Sequence, residues 1–105
     1  YLKIKFNKKI ILKNINHYRD FLSTVDICKA IETLRRSNYE GTINIGSGKA
    51  TSLIKIAKFF AKHFNKKIVI NNKENPTYLI ANIDKIKRIG WRPKDKVEDI
   101  LKKFI

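Results

Sequence analysis

The sequence is poor in several residue types whose scarcity excludes whole classes of protein. Its one cysteine, Cys28, cannot form an internal disulfide, so a disulfide-stapled secreted module is excluded and a cytoplasmic location is favoured. No apolar run is long enough to cross a bilayer, which excludes a membrane span. Methionine is absent. We therefore expect the chain to be a processed product, a trimmed piece or the ordered remainder of a longer polypeptide.

Acidic residues are also few, and this leaves a large positive charge. Nine Asp and Glu stand against 24 Lys and Arg, for a formal net charge of +15. Such a balance is typical of a nucleic-acid-binding module, which is the alternative function that we consider. The basic residues, however, are spread through every segment and form no single block. The pattern favours a solvated, lysine-rich surface over a polyanion site, so nucleic acid is the less favoured partner.

Periodicity predicts a mixed α/β fold with short strands and three to four helices. The expected strands cover residues 9–12, 20–22, 42–45 and 67–70, and the expected helices cover residues 24–37, a segment capped by Thr51 or Ser52, residues 82–89 and a segment after Pro93. Gly90 is expected to end the third helix in a left-handed conformation. Trp91 is expected to be a structural anchor with its indole N–H satisfied, and His17 a packing or hydrogen-bonding residue.

The helix predicted over residues 24–37 carries the clearest apolar pattern. Ile27, Cys28, Ile31 and Leu34 recur at helical spacing, so we expect this stripe to face the core and Cys28 to be a buried structural thiol. Ser23, followed three residues later by Asp26, resembles a capping box.

Four local patterns follow one another along the chain. They are Arg-Asp-Phe-Leu at 19–22, Gly-Thr-Ile-Asn-Ile-Gly-Ser-Gly at 41–48 with a capped helix after it, Ala-Asn-Ile-Asp-Lys at 81–85, and Ile-Gly-Trp-Arg-Pro-Lys at 89–94. In this order and spacing they resemble the C-terminal, substrate-binding region of NAD-dependent epimerases and dehydratases of the extended short-chain dehydrogenase/reductase family. The resemblance spans roughly residues 8 to 105.

This resemblance implies a set of substrate-binding residues. The arginine matching Arg19 contacts the diphosphate of a nucleotide-sugar, a task that suits the planar donor fork of a guanidinium. Asn44 and Ser47 are candidates for orienting a turn or touching the sugar. The family usually carries a second arginine in the loop that here contains Lys73, which can act toward phosphate only as a point charge. Ser23 also departs from the family, whose members often have histidine or tyrosine there.

Two other motifs are coincidental. Residues 46–51 resemble a phosphate-cradling loop, but Ala50 follows Lys49 where the Walker pattern requires Ser or Thr, and the glycine spacing of a dinucleotide fingerprint is missing. Tyr1 and Lys5 have the spacing of the family's catalytic Tyr-x-x-x-Lys pair, yet they lie far too close to Arg19. No zinc spacing is present, so no metal site is predicted.

The resemblance therefore predicts that residues 1–105 form one partial domain that binds a nucleotide-diphosphate sugar. The parent enzyme is expected to be a homodimer that holds NAD or NADP on a Rossmann portion absent from this chain. The chain alone has no predicted catalytic or cofactor-binding residue, and we predict that it has no turnover by itself.

Overall fold

The computed structural model describes residues 9–105, so the Tyr1 and Lys5 pair lies outside the described residues. The elements in chain order are β1 (Lys9–Lys13), β2 (Tyr18–Arg19), α1 (Thr24–Arg36), β3 (Thr51–Ser52), α2 (Leu53–His63), β4 (Lys67–Asn71), β5 (Tyr78–Leu79), α3 (Asp84–Ile89) and α4 (Val97–Lys102). Four helices and short strands over this range confirm the predicted mixed α/β class. Within the same range no helix is both long enough and apolar enough to cross a bilayer.

The strands form two small sheets. β1 and β4 pair in parallel, with Ile11 opposite Val69. The second sheet has the order β3-β2-β5, in which β2 is antiparallel to β3 and parallel to β5. Tyr18 therefore lies between Ser52 and Tyr78, and the central position of β2 brings Arg19 to the middle of this sheet.

A small apolar cluster joins α1 to α3 and to the segment that follows α3. Its buried members are Ala30, Ile83, Ile86 and Trp91, and the half-buried residues packed against it are Leu22, Leu34, Ile43, Ile45 and Ala81. Trp91 is 4% exposed, and its Nε1–H donates to the carbonyl oxygen of Asp26 at 3.2 Å. The expected anchoring role of Trp91, with ring packed and N–H satisfied, is confirmed.

The side of α1 that faces the core differs from the prediction. Asp26 and Ala30 are the buried helix residues, whereas Cys28 is exposed and Ile31 is 57% exposed. The prediction of a buried Cys28 thiol is wrong, because the helix turns the face centred on Asp26 and Ala30 inward. Asp26 can occupy the core because its carboxylate Oδ2 accepts hydrogen bonds from the backbone N–H groups of Lys94 and Asp95.

The helix ends largely follow the predicted cap chemistry. Ser23 Oγ accepts the N–H of Asp26 at 3.0 Å, and Ser52 Oγ accepts the N–H of Lys55 at 3.4 Å. Gly90 ends α3 with φ of 112°, a left-handed conformation that glycine adopts without side-chain strain. Asn82, the predicted cap of α3, accepts the N–H of Asp84, but the N-cap position is taken by Ile83, whose side chain makes no cap hydrogen bond.

Two of the predicted strands are not formed as expected. The pairing strand in the second region is Tyr18–Arg19, not residues 20–22, because the Asp20 side chain is used to hold neighbouring turns. Residues 42–45 are not a strand, and no backbone–backbone hydrogen bond is recorded for them among residues 9–105. Ile43 and Ile45 nevertheless pack against the apolar cluster.

Candidate functional site

Asp20 holds three chain segments together next to Arg19. Its Oδ1 accepts the N–H of Ser47 at 2.7 Å, and its Oδ2 accepts the N–H groups of Gly48 at 2.9 Å and Ala81 at 3.2 Å. The carboxylate thus ties the end of β2 to the glycine turn at 46–48 and to the strand-like segment before α3. The backbone around Arg19 is fixed by these contacts.

The electrostatics of Asp20 favour its charged form. Burial alone would raise the pKa of this carboxyl, but the hydrogen bonds from Ser47, Gly48 and Ala81 outweigh burial and lower the pKa below its ordinary value. Asp20 is therefore ionised at neutral pH and acts as a permanent acceptor for the three amides.

Gly46 is required by the close approach of these segments. A Cβ atom at this position would lie 2.6 Å from the Cβ of Ala81 and 2.9 Å from Oδ2 of Asp20. Neither distance is compatible with van der Waals contact, so only glycine fits without a shift of the backbone.

The glycine turn is not built to hold a phosphate. A phosphate-binding turn offers its backbone N–H groups to the ligand. Here the N–H groups of Ser47 and Gly48 already donate to the Asp20 carboxylate, and an anion beside that carboxylate would be repelled. The donor set therefore does not fit a dinucleotide pyrophosphate, in agreement with the missing glycine spacing.

Arg19 is half-buried in the middle strand of the three-stranded sheet, and its guanidinium is held at one end. Nη1 donates to the carbonyl oxygen of Tyr18 at 2.8 Å, to the carbonyl oxygen of Thr77 at 3.3 Å and to Thr77 Oγ1 at 3.1 Å. No hydrogen bond or ion pair is recorded for Nε or Nη2 among the described residues. The side chain is thus anchored through one nitrogen, while the rest of its donor fork has no acceptor within residues 9–105.

His17 supports this arrangement from the core side. Its ring Nδ1 accepts the backbone N–H of Thr77 at 3.1 Å and lies 2.8 Å from Thr77 Oγ1. Thr77 therefore bridges the buried His17 and the guanidinium of Arg19. The predicted hydrogen-bonding role of His17 is confirmed.

Two tyrosines beside Arg19 were not identified as candidates from the sequence. The rings of Tyr18 and Tyr78 stack with centroids 4.4 Å apart and an interplanar angle of 8°. Tyr78 is 60% exposed and lies on β5, directly across the sheet from β2. Only the pairing of β2 with β5 brings them together, and no local sequence signal encodes that pairing.

The other candidate residues lie in separate places. Ser47 lines a cavity of about 360 Å³ between the glycine turn and the segment at 93–98, together with Phe21 and several lysines. Asn44 is exposed and lines a different concavity beside α3. Lys73 is exposed, and its backbone N–H donates to Asn14 Oδ1. Ser47 is bonded to Asp20, the residue after Arg19, whereas Asn44 lines its own concavity and the recorded hydrogen bond of Lys73 is to Asn14.

The chain is similar in sequence to a curated enzyme. It is 33% identical over 102 residues to the dTDP-4-dehydro-6-deoxyglucose reductase of Escherichia coli, an alignment that covers 90% of the chain and 32% of the enzyme. No protein-family model matches the chain.

Solved structures share its fold. RMD from Pseudomonas aeruginosa, complexed with NADPH, superposes with a TM-score of 0.76 at 19% sequence identity. The match covers 90% of this chain and 33% of the RMD chain. A GDP-6-OMe-4-keto-L-xylo-heptose reductase from C. jejuni has a TM-score of 0.74 at 22% identity, and the match covers 96% of this chain and 34% of the reductase. The UDP-glucose 4-epimerase of Thermotoga maritima has a TM-score of 0.74 at 20% identity, and the match covers 95% of this chain and 34% of the epimerase. The chain thus spans about a third of the length of the proteins that it matches.

Proposed function

We propose that this chain is the substrate-binding portion of an NAD(P)-dependent nucleotide-sugar reductase, epimerase or dehydratase. In sequence and fold it matches the C-terminal part of enzymes of the extended short-chain dehydrogenase/reductase family. Residues 1–105 would then be one partial domain, and the Rossmann portion would be a separate part of the enzyme. The observation that carries this proposal is the guanidinium of Arg19, which is anchored at Nη1 and has further donors with no acceptor in the part of the chain that the structure describes.

Arg19 would bind the diphosphate of the substrate. Its Nε and Nη2 lie along one edge of a planar fork that can donate two parallel hydrogen bonds to phosphate oxygens. Anchoring by Tyr18 and Thr77 reduces the rotamer entropy that the side chain loses when the ligand binds. The neighbouring ring of Tyr78 offers an exposed aromatic surface to the remainder of the ligand.

The remaining candidates have smaller roles in this proposal. Ser47 would shape the wall next to Asp20, and Asn44 would contact the sugar only if the rest of the enzyme brings the ligand to the α3 side. Lys73 would attract the diphosphate as an exposed point charge. Each of these contributions orients the substrate, and precise orientation alone can remove a large part of a reaction barrier.

NAD or NADP would supply the hydride chemistry and would be held by residues outside this chain. The glycine turn at residues 46–48 does not offer a pyrophosphate cradle, because Asp20 occupies the N–H groups of Ser47 and Gly48. The family resemblance further implies that the whole enzyme is a cytoplasmic homodimer, which belongs to the same proposal.

The proposal is tested by binding measurements on a chimera in which this chain replaces the aligned third of the E. coli reductase. Calorimetric titration with dTDP-, UDP- and GDP-sugars is expected to detect binding of at least one of them. Because a lysine cannot make the two-pronged contact, Arg19→Lys is expected to weaken binding roughly tenfold to a hundredfold, the range for hydrogen bonds to charged groups.

Arg92→Lys is the matched control, since Arg92 is an exposed arginine outside the second sheet, and it is expected to leave the affinity within about twofold of the parent chimera. Equal affinities for the parent and Arg19→Lys would remove Arg19 from the site and with it the physical basis of the proposal.

A further inference from the structure

The segment that leads into β5 is fastened to β2 and to the two residues before β2. Asn16 Nδ2 donates to the carbonyl oxygen of Glu74 at 2.7 Å, and the N–H of Tyr18 donates to the carbonyl oxygen of Thr77 at 2.8 Å. His17, which lies between these two contacts in the sequence, is 9% exposed and bonds to the same segment. The backbone position of Thr77 is therefore fixed by several contacts.

The hydrogen bonds of His17 assign its tautomer and the direction of the Thr77 hydroxyl. Because Nδ1 accepts the backbone N–H of Thr77 at 3.1 Å, this nitrogen carries no hydrogen. In the neutral ring the proton is then on Nε2, which lies 3.9 Å from Oε2 of Glu74. Thr77 Oγ1 lies 2.8 Å from Nδ1. Since Nδ1 can only accept, the Thr77 hydroxyl must donate its hydrogen to His17.

A hydroxyl whose hydrogen is directed at His17 presents only lone pairs to its other neighbour. That neighbour is Nη1 of Arg19, which lies 3.1 Å from Thr77 Oγ1 and 3.3 Å from the Thr77 carbonyl oxygen. A guanidinium nitrogen can only donate, so donor and acceptor match at both steps. We call this series of hydrogen bonds, from Arg19 to Thr77 and from Thr77 to His17, the His17 relay.

We infer that His17 is a positioning residue for the diphosphate-binding guanidinium of Arg19, and that it acts through Thr77. This inference rests on the proposed function. By fixing both oxygens of Thr77 around Nη1, His17 restricts rotation of the guanidinium and leaves its Nε and Nη2 edge to the ligand. A fork that is held before the ligand arrives loses less entropy when it binds two phosphate oxygens. His17 is itself buried and is not required to contact the ligand.

A purely structural role for His17 predicts a different pattern of mutant effects. The ring would then only fill space and hold the segment before β5, so its loss would weaken binding equally whether or not Arg19 is present. In the His17 relay, the loss is felt only through Arg19. Coupling between a substitution in the relay and a substitution of Arg19 therefore separates the two roles.

Thr77→Val removes the hydroxyl of the relay with little other disturbance, because Thr77 is exposed. Its effect is measured in the chimera with the E. coli reductase, by calorimetric titration with dTDP-glucose, UDP-glucose and GDP-mannose. We expect Thr77→Val to weaken nucleotide-sugar binding roughly threefold to tenfold, the range for one hydrogen bond. In the Arg19→Met background, which keeps a long side chain without donors, the same substitution is expected to change affinity by less than about twofold.

His17→Asn and His17→Phe test the buried end of the relay. Asparagine can place Oδ1 where imidazole has Nδ1 and so keeps an acceptor for Thr77, whereas phenylalanine has none. We expect His17→Phe to weaken binding as Thr77→Val does, and His17→Asn to stay within about twofold of the parent although its smaller side chain lowers stability. His63→Phe is the matched control, because His63 is an exposed histidine at the end of α2, and it is expected to leave affinity unchanged.

The guanidinium of Arg19 gives a second readout that needs no ligand. Nη1 has three recorded acceptors, which are the carbonyl oxygens of Tyr18 and Thr77 and Oγ1 of Thr77. In ¹⁵N spectra of the ligand-free chimera, assigned with Arg19→Met, we expect separate Nη1 and Nη2 signals for Arg19 that merge in Thr77→Val. If circular dichroism shows that His17→Phe does not fold, Thr77→Val and His17→Asn still decide the test.

Several results would overturn the His17 relay. These are an equal loss of affinity for Thr77→Val in the parent and in the Arg19→Met background, Arg19 signals that are already merged in the parent, or a folded His17→Asn that binds as poorly as Thr77→Val. Nucleotide-sugar binding that Thr77→Val leaves unchanged would refute the relay and leave the proposed function intact. Failure of the parent chimera to bind all three nucleotide-sugars, with Arg19 signals that are separate and sensitive to Thr77→Val, would refute the proposed function and leave the hold of Thr77 on Arg19 intact.

Discussion

At the scale of single residues, the neighbours Asp20 and Arg19 use their polar atoms in different ways. Asp20 uses both carboxylate oxygens to satisfy three backbone amides. Its neighbour Arg19 donates hydrogen bonds from Nη1, while no partner of Nε or Nη2 is recorded among residues 9–105. Asp20 directly follows β2, and no hydrogen bond between the two side chains is recorded among residues 9–105.

Asp20 should therefore be a determinant of stability and of its pH dependence. Asp20→Asn is expected to lower the free energy of unfolding at pH 7 by about 1–3 kcal/mol, because an amide nitrogen would face backbone N–H donors. The folded-state pKa of Asp20 is lowered, so its contribution is complete above the unfolded-state value near 3.8 and disappears as pH falls through the folded-state pKa.

Urea unfolding of both proteins at a series of pH values between 7 and 2 measures this difference. Glu40→Gln serves as the control, since Glu40 is exposed, and its stability should follow the parent. A difference between Asp20→Asn and the parent that stays constant down to pH 2 would contradict the argument.

Residue roles were predictable where they depend on local chemistry or on the family motif. The buried Trp91 and the hydrogen-bonding His17 followed from their sequence neighbours. The Tyr18–Tyr78 stack did not, because its two residues are brought together by pairing between strands 60 positions apart in the sequence.

At the scale of elements, polar contacts to the segment that follows α3 add to the apolar cluster in docking α1. Asp26 is 1% exposed and receives the N–H groups of Lys94 and Asp95, while its carbonyl oxygen receives the Trp91 indole N–H. These bonds join two elements almost 70 residues apart and satisfy a carboxylate that would otherwise be costly to bury.

Trp91→Phe tests this docking. The substitution removes the indole donor and leaves the Asp26 carbonyl without that partner, so it is expected to cost about 1–2 kcal/mol of stability. Trp91→Ala should cost roughly 3–5 kcal/mol, because it also empties the space of a large ring. Thermal or urea unfolding measures both changes.

Phe104→Ala is the comparison variant, because Phe104 is an aromatic residue that remains largely exposed, and its effect should stay within about 0.5 kcal/mol. If Trp91→Phe were as stable as the parent, the hydrogen bond to Asp26 would not hold α1 in place.

Helices were easier to predict than strands for a physical reason. Ser23, Ser52 and Gly90 mark helix ends through bonds or dihedral angles within a few residues, so their signals are local. Residues 42–45 have the composition of a strand, but a strand forms only when another strand supplies hydrogen bonds, and none does so among residues 9–105. The sequence predicted correctly that α1 carries an apolar stripe. It predicted the wrong side of the helix to face the core, because apolar residues lie on both sides of α1.

At the scale of the whole molecule, the main feature is the excess of positive over negative charge. With +15 on 105 residues, repulsion among lysines opposes compaction. The Lys55–Glu98 and Arg35–Glu32 ion pairs are exposed, and each contributes little to stability.

Stability is therefore expected to rise with ionic strength. Added NaCl between about 10 mM and 0.5 M screens the repulsion, since the Debye length shortens from about 30 Å to a few ångströms. The urea midpoint of the isolated chain should increase over this range, whereas guanidinium chloride would obscure the effect because it is itself a salt. A midpoint that falls with NaCl would show that attractive ion pairs outweigh the repulsion.

The contact between residues 46 and 81 has an evolutionary consequence. The junction has room for one methyl group, which Ala81 supplies, and a methyl on residue 46 would stand 2.6 Å from it. Substitutions at the two positions are therefore coupled: an alanine at 46 becomes less damaging when Ala81 is replaced by glycine, although the nearby Asp20 oxygen still limits the gain. Among relatives that keep this aspartate, small residues at the two positions should co-vary so that their combined side-chain volume stays nearly constant.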